Sequence, residues 1–300
     1  MAEAGRRWID PAPVDPERVR ELAAELGLKQ QVAEILVRRG RGSPERARRW
    51  LRPRPSHRHP PEGLPDMEAA VRRVEAAVEG GETILVHGDY DADGMCSAAL
   101  LTRGLRRLGG DARPFVPHRT EHGYDLGEAG LERAVEEGAS LILTADCGVT
   151  ALEAVERGRE AGLDVVITDH HQPGPRLPDA TAVVNPSRAD SEYPFAGLAG
   201  VGVAFKLLEA LFSRDGRPAG ELNQHLDLVG VGTVADQVPL VDENRVLVRA
   251  GLAALARTRK PGLRALLDVA GWGDGQELSA SVVSYGLAPR LNAVGRIADA

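Results

Sequence analysis

The sequence is poor in cysteine: Cys96 and Cys147 are the only two in 300 residues, too few for a disulfide framework or a cysteine-based zinc site. Aromatic residues make up 4% of the chain, so no extended base-stacking platform is legible in it. No apolar run approaches the roughly 18 residues that a membrane span requires. The opening MAEAGRRWID contains no signal-peptide apolar core. Together these absences predict a soluble protein in a reducing, cytoplasmic setting, away from membranes. No G-x-x-x-x-G-K-S/T occurs, which argues against a P-loop nucleotide hydrolase. No G-x-G-x-x-G follows the first apolar run, which argues against a dinucleotide enzyme.

What is present is ordinary globular composition, 43% hydrophobic and 27% charged, in a chain long enough for two domains and a sizeable core. The net charge is −7, from 37 basic and 44 acidic residues, which by itself speaks against nucleic acid. The distribution is uneven, however. Residues 38–58 (RRGRGSPERARRWLRPRPSHR) hold nine arginines against one acid, Glu45. A local basic run of this kind meets phosphates irrespective of the total charge, although a solvated helix face followed by a Pro-rich linker explains it as well.

Three segments follow from the patterning. Residues 1–66 read as a helical arm (PERVRELAAEL, QVAEILVRR) and a proline-interrupted linker. Residues 67–242 alternate helical stretches with short apolar runs: TILVHG, ARPFVP, SLILTA and DVVIT. That rhythm predicts an α/β domain with a parallel β-sheet flanked by helices. Residues 243–300 read as helical, and LAPRLNAVGRIADA lacks a stop signal, as either a frayed terminus or a longer protein cut short would.

Ligands bind beyond the carboxyl ends of strands in such sheets, and acids stand there. TILVHG is followed by Asp89, Asp91, Asp93 and Gly94; SLILTA by Asp146, Cys147 and Gly148; DVVIT by Asp169, His170 and His171. Asp236, in GTVADQVPL, closes a helical stretch. Carboxylates gathered in one crevice repel one another unless cations neutralise them. Mixed carboxylate and imidazole donors suit Mn²⁺, Mg²⁺ or Zn²⁺, and several carboxylates can hold two ions about 4 Å apart for phosphoester cleavage.

Each piece has a plainer explanation. Asp89-x-Asp91-x-Asp93-Gly94 opens like an EF-hand loop, but position twelve is Leu100 and a strand precedes it. Asp146 alone could be a helix N-cap, Asp169-His170-His171 a polar turn before Gln172-Pro173, and His87 a satisfied core histidine. Gly197, Gly200 and Gly202 could offer N–H groups to a phosphate or serve close helix packing. Arg119 and Tyr124, in VPHRTEHGY, could face the crevice, or Arg119 could form a surface salt bridge. The two cysteines read as small buried packing residues.

In series and at these spacings, GDYDADG, TADCGV, TDHH and GTVADQVPL resemble the motifs of the DHH phosphoesterases. VAEILVRRG, VPHRTEHGY, GLAGVGVAFKL and LAPRLNAVGR extend the resemblance over most of the chain, towards the branch that degrades single-stranded DNA. The resemblance implies that Asp91, Asp93, His170, Asp236 and His87 are metal ligands and that Asp146 bridges two Mn²⁺ or Mg²⁺ ions. It implies His171 beside the scissile phosphate, Asp169 and Asp89 behind the ligands, and Arg119 and Arg290 on substrate phosphates. The expected activity is a 5′-to-3′ exonuclease on single-stranded DNA, with a helicase and a single-strand-binding protein as partner classes. A small-substrate phosphodiesterase or pyrophosphatase and a non-catalytic single-strand-binding scaffold are the competing expectations. The glycine-glycine-histidine motif and nucleic-acid-binding barrel that such exonucleases carry are not in this sequence.

Overall fold

A computed structural model describes residues 12–273 and 276–297, the side chains of 219 and 295–297 excepted. The chain divides into two compact units, one ending at His57 and the other beginning at Arg58.

The first unit is three helices, α1 (Pro16–Leu26), α2 (Gln30–Arg38) and α3 (Pro44–Leu51). Its sequence marks the ends. The Asp15 carboxylate accepts the N–H of Glu17 at the start of α1, Gly27 closes that helix at φ +62°, and the Ser43 hydroxyl caps α3. Val19, Leu22, Ala23, Ala33, Leu36 and Ala47 form a small core. The basic run therefore contains a capped helix, α3, ahead of its proline-rich stretch.

In the second unit α4 (Met67–Glu79) leads into β1 (Thr83–Gly88), α5 (Ala92–Arg107), β2 (Asp111–Phe115), α6 (Glu128–Glu136), β3 (Leu141–Ala145), α7 (Leu152–Glu160), β4 (Asp164–Thr168) and β5 (Ala182–Val184). The remainder is helical: α8 (Gly200–Arg214), α9 (Leu226–Ala235), α10 (Asp242–Leu255), α11 (Pro261–Val269), α12 (Ala280–Val282) and, after a π turn at Val283–Leu287, α13 (Ala288–Ile297). All five strands are parallel, in the order β2-β1-β3-β4-β5.

The strands are apolar throughout because both faces of the sheet are covered. Ile84, Val86, Leu141, Leu143 and Val166 pack with Val74 of α4, Leu101 of α5, Phe205 of α8 and Val229 of α9. Leu85, Ile142, Val165 and Ile167, alternating with them, pack with Leu131 of α6 and Val155 of α7. A buried pair, Lys206 Nζ and Glu243 Oε1 at 2.7 Å, ties α8 to α10. The strand order reverses between β1 and β3, so the loops leaving these two strands part to opposite sides and open a crevice above the sheet. Asp89 and Asp91 follow β1, and Asp146 follows β3. The acids thus sit at the switch point.

Candidate metal centre

The turn after β1 is built around Asp91. Its Oδ1 accepts the N–H groups of Asp93 and Gly94, at 2.8 and 2.9 Å, and so caps α5. Asp93 is carried into the interior by the first turn of α5, 1% exposed. There its carboxylate accepts the N–H of Gly200 at 2.7 Å and of Val201 at 3.2 Å. The first turn of α8 therefore serves a protein carboxylate, and the N–H groups of Gly200 and Gly202 are taken up by Asp93 and Ala199 O.

Asp146 leaves β3 in the left-handed region, φ +68°, a conformation that costs a non-glycine residue energy and is held only by its surroundings. Two glycines make room for the acids. A Cβ on Gly200 would stand 2.5 Å from both Cβ and Cγ of Asp146, and one on Gly232 would stand 2.5 Å from Asp93 Oδ1.

Ligand atoms converge in three overlapping groups: Asp89, Asp91 and Asp146; Asp146, His170 and His171; and Asp93, His170 and Asp236. Within each, the atoms lie within 4.8 Å of one another. His170 Nε2 stands 3.2 Å from Asp146 Oδ1 and 3.6 Å from Asp236 Oδ2, yet none of these three buried atoms, nor Asp89 Oδ1, makes a hydrogen bond. Buried polar atoms are almost always satisfied. Four unsatisfied ones that face a common space, three of them carboxylate oxygens, fit a site for cations.

The electrostatics agree. Burial, with Asp91 beside it, pushes the Asp89 carboxyl up to about 7. Burial and neighbouring carboxylates likewise raise Asp93, Asp146 and Asp236, although His170 opposes the rise in Asp236. Without cations, burial and mutual repulsion favour the protonated forms of these carboxylates.

Asp169 does different work. Its Oδ2 accepts the N–H of Val149 at 3.0 Å, and its Oδ1 accepts the N–H groups of His170 and His171. Oδ1 also lies 2.8 Å from His171 Nδ1. Burial would raise this carboxyl, but His171 and the N–H donors outweigh it and hold it below its ordinary value. The same hydrogen bond raises His171. The Asn185 side chain donates to His171 O at 2.9 Å and the Ser187 hydroxyl to His170 O at 3.0 Å, which fixes the backbone of the histidine pair.

His87 stands apart from the other expected ligands. Expected among the ligands, it falls in none of the three groups found among the described residues. It shares a strand face with Leu85, with Cys147 Sγ 3.6 Å from Nδ1 and the Phe115 ring 5.4 Å away. The α carbon of Gly130 abuts the other nitrogen, leaving no room for a Cβ. Burial lowers its pKa to about 4, so it stays neutral. These surroundings are those of a core histidine. Cys96 and Cys147 are both buried and free, with burial raising each thiol.

Along the rim, Arg119 lies over the Tyr90 ring, 4.6 Å from its centroid, and Tyr124 Oη approaches the His171 ring at 3.4 Å. Arg290 is exposed on α13 and donates to Gly286 O of the preceding π turn at 2.5 Å. Neither arginine pairs with a carboxylate among the described residues, so the salt-bridge alternative for Arg119 falls away.

Two residues absent from the sequence-based set complete the site. Asn292 Oδ1 accepts the N–H of Ala92 at 2.7 Å, joining α13 to the cap of α5. Asp125, at φ +74°, accepts the Gly148 N–H and the Thr150 hydroxyl, both at 2.6 Å. The only sequence signal for Asp125 was its place after Gly123 and Tyr124, at a turn.

Comparison with known proteins places this geometry. The family model "DHH family, N-terminal domain" matches residues 83–233. The single-stranded-DNA-specific exonuclease RecJ of Bacillus subtilis is 42% identical over the whole of this chain, which covers 37% of that protein. RecJ of Escherichia coli is 43% identical over 79% of this chain, covering 43% of its length. The chain thus spans about two fifths of these relatives. Among solved structures, RecJ of Thermus thermophilus in complex with Mn²⁺ superposes with a TM-score of 0.76 at 35% identity, covering 94% of this chain and 39% of that one. A manganese-bound exonuclease RecJ gives 0.70 at 39% identity, covering 79% and 59%.

Proposed function

The chain belongs to the DHH family, and from that premise we propose that it is the catalytic part of a metal-dependent exodeoxyribonuclease that degrades single-stranded DNA from the 5′ end, releasing 5′-mononucleotides in repair and recombination. The observation that carries this reading is the sharing of Asp146 and His170 between overlapping groups of converging ligand atoms. One ion needs one group; groups joined by a common carboxylate suit a pair.

Asp91, Asp93, Asp146, His170 and Asp236 would hold two Mn²⁺ or Mg²⁺ ions, with Asp146 between them. When bound, such a pair supplies Lewis acidity at phosphorus and lowers the pKa of water towards neutrality. Asp169 holds His171 in one orientation and favours its protonated form, so that His171 can donate to the scissile phosphate or its leaving oxygen. Asp89, which the resemblance put behind the ligands, converges with Asp91 and Asp146 and has an unsatisfied Oδ1, so it would stand beside them as a further carboxylate for the pair. Arg119 and Arg290, both free of carboxylates, would take substrate phosphates. Residues 67–242 are the phosphoesterase segment in this reading.

A strand-separating helicase and a single-strand-binding protein are the partner classes that such a nuclease needs, and a cytoplasmic setting goes with them. Among the described residues no helix is long and apolar enough to cross a membrane. The scaffold alternative is disfavoured because the acids are all present and converge.

The test is a calorimetric Mn²⁺ titration of the chain and of Asp146→Ala, followed by digestion of 5′- and 3′-blocked oligodeoxynucleotides. Two sites in the parent, at least one of them lost in the variant, and digestion arrested by the 5′ block are expected. A folded parent that binds no Mn²⁺ would overturn the proposal.

A further inference from the structure

Nothing in the metal centre uses the arginine-rich run of the first unit. Arginines of the second unit are largely spent on carboxylates: Arg73 on Glu82 and Asp164, Arg188 on Asp66 and Asp190, Arg214 on Glu68 and Glu75. The first unit differs. The end of α1, the outer face of α3 and the turn that follows enclose a cleft of about 630 Å³, within the range of ligand sites.

Arg48, Arg49, Arg52 and Arg54 line this cleft together with Ser56 and His57. Two acids also reach it, Glu25 and Glu45. Arg48 neutralises Glu25 at 2.9 Å, whereas Arg49, Arg52 and Arg54 have no carboxylate partner among the described residues. Three guanidiniums without a carboxylate partner therefore face one carboxylate, and Arg49 donates to His57 O at 3.2 Å. The remaining polar groups can donate too. The N–H of Arg54 donates to His57 Nδ1 at 3.2 Å, so a neutral His57 carries its proton on Nε2, and Ser56 brings a hydroxyl.

We propose that this cleft is a second nucleic-acid site, binding phosphate groups of a single-stranded DNA backbone apart from the metal centre. Arginine suits the task because its planar fork grips phosphate oxygens in pairs and keeps its charge. In a chain of net charge −7, a polyanion needs a local positive surface to approach at all. The inference rests on single-stranded DNA being the substrate, but it makes a claim about binding that can fail by itself.

The experiment measures fluorescence anisotropy of a labelled oligo-dT 20-mer in EDTA, where no hydrolysis occurs, across a salt series. The intact chain and the double variant Arg52→Ala/Arg54→Ala are compared, with Arg52→Lys/Arg54→Lys as a charge-retaining control. Loss of two phosphate contacts should make the log–log salt slope shallower by about 1.4, weaken binding roughly tenfold at low salt, and be largely rescued by lysine. Turnover of p-nitrophenyl thymidine 5′-monophosphate with Mn²⁺, a substrate confined to the metal centre, should be unchanged. An alanine variant with the parental affinity and slope overturns the proposal. So does polyglutamate displacing the oligonucleotide as well as unlabelled oligo-dT does, since the site would then be one for an acidic protein. Failed turnover in the parent, with binding as expected, would instead count against the nuclease reading alone.

Discussion

Gly200 lies against Asp146 so closely that a Cβ on the glycine would stand 2.5 Å from both Cβ and Cγ of the aspartate, while the N–H of the same glycine donates to Asp93. One residue without a side chain thus sets the position of two carboxylates. Gly200→Ala must push Asp146 out of the crevice. The expected result is Mn²⁺ affinity lower by about 10- to 100-fold, with an overpacking cost of roughly 1–3 kcal/mol. Gly202→Ala meets only Leu198, at 3.2 Å or more, and should bind Mn²⁺ like the parent. Calorimetry on both variants checks this, and equal affinities would show that Asp146 has room to move.

The link between Asp169 and His171 makes a second prediction. His171 owes its raised pKa first to its hydrogen bond with Asp169. Asp169→Asn should lower that pKa, because the hydrogen bond and the neighbouring charge that raise it are lost; the imidazole C2–H resonance of His171 in an NMR titration reads the change. Turnover should fall by about 10- to 100-fold, as is usual when the partner of an active-site imidazole is lost. An unchanged titration would mean that another group sets the protonation of His171.

The unpaired acids predict how stability responds to pH without metal. A carboxyl with a higher pKa in the folded state keeps a proton that the unfolded chain has released, so stability falls as pH rises through the folded value. Asp89, at about 7, and the raised Asp93 and Asp146 all act in this direction. So does His171, whose raised pKa stabilises the fold only while it is protonated. His87 and His225, both lowered to about 4, act oppositely, but they finish titrating once the unfolded histidine value of about 6.5 is passed. Between pH 6.5 and 8 the Tm in EDTA should therefore fall. Saturating Mn²⁺, which favours the ionised carboxylates, should remove or reverse the slope. A Tm in EDTA that climbs over this interval would contradict the protonation of the cluster.

Much of this was legible in the sequence because the signals are local. TILVHG and DVVIT are β1 and β4 to the residue, since a continuous apolar run followed by acids has few other readings. β5 gave no such signal: three residues, Ala182–Val184, between polar loops cannot be told from an apolar patch. His87 shows a different failure. The resemblance implied a ligand there, but the two-residue alternation of a strand places His87 with Leu85 on the other face, where Cys147 and Phe115 meet it. The parts played by Gly200, Gly232 and Asn292 depend on contacts across more than 50 residues and have no local trace.

Asp125 supplies the last prediction. Its carboxylate joins the loop that carries Arg119 and Tyr124 to the turn behind Asp146, through Gly148 and Thr150. It does so from a left-handed backbone, φ +74°, which aspartate and asparagine tolerate better than alanine. Asp125→Ala loses both cross-loop bonds and strains the turn, at a cost of roughly 2–3 kcal/mol. Asp125→Gly relieves the strain without restoring the bonds. Asp125→Asn keeps an acceptor for Gly148 and the permitted conformation. Thermal unfolding should therefore rank the parent first, then asparagine, then glycine, with alanine last. KM for an oligonucleotide should rise more steeply than kcat falls, because the loop that moves carries groups for the substrate and not the ligands. Asparagine and alanine variants of equal stability would show that the turn holds without this carboxylate, and the rim residues would then owe their positions to Tyr90 and His171 instead.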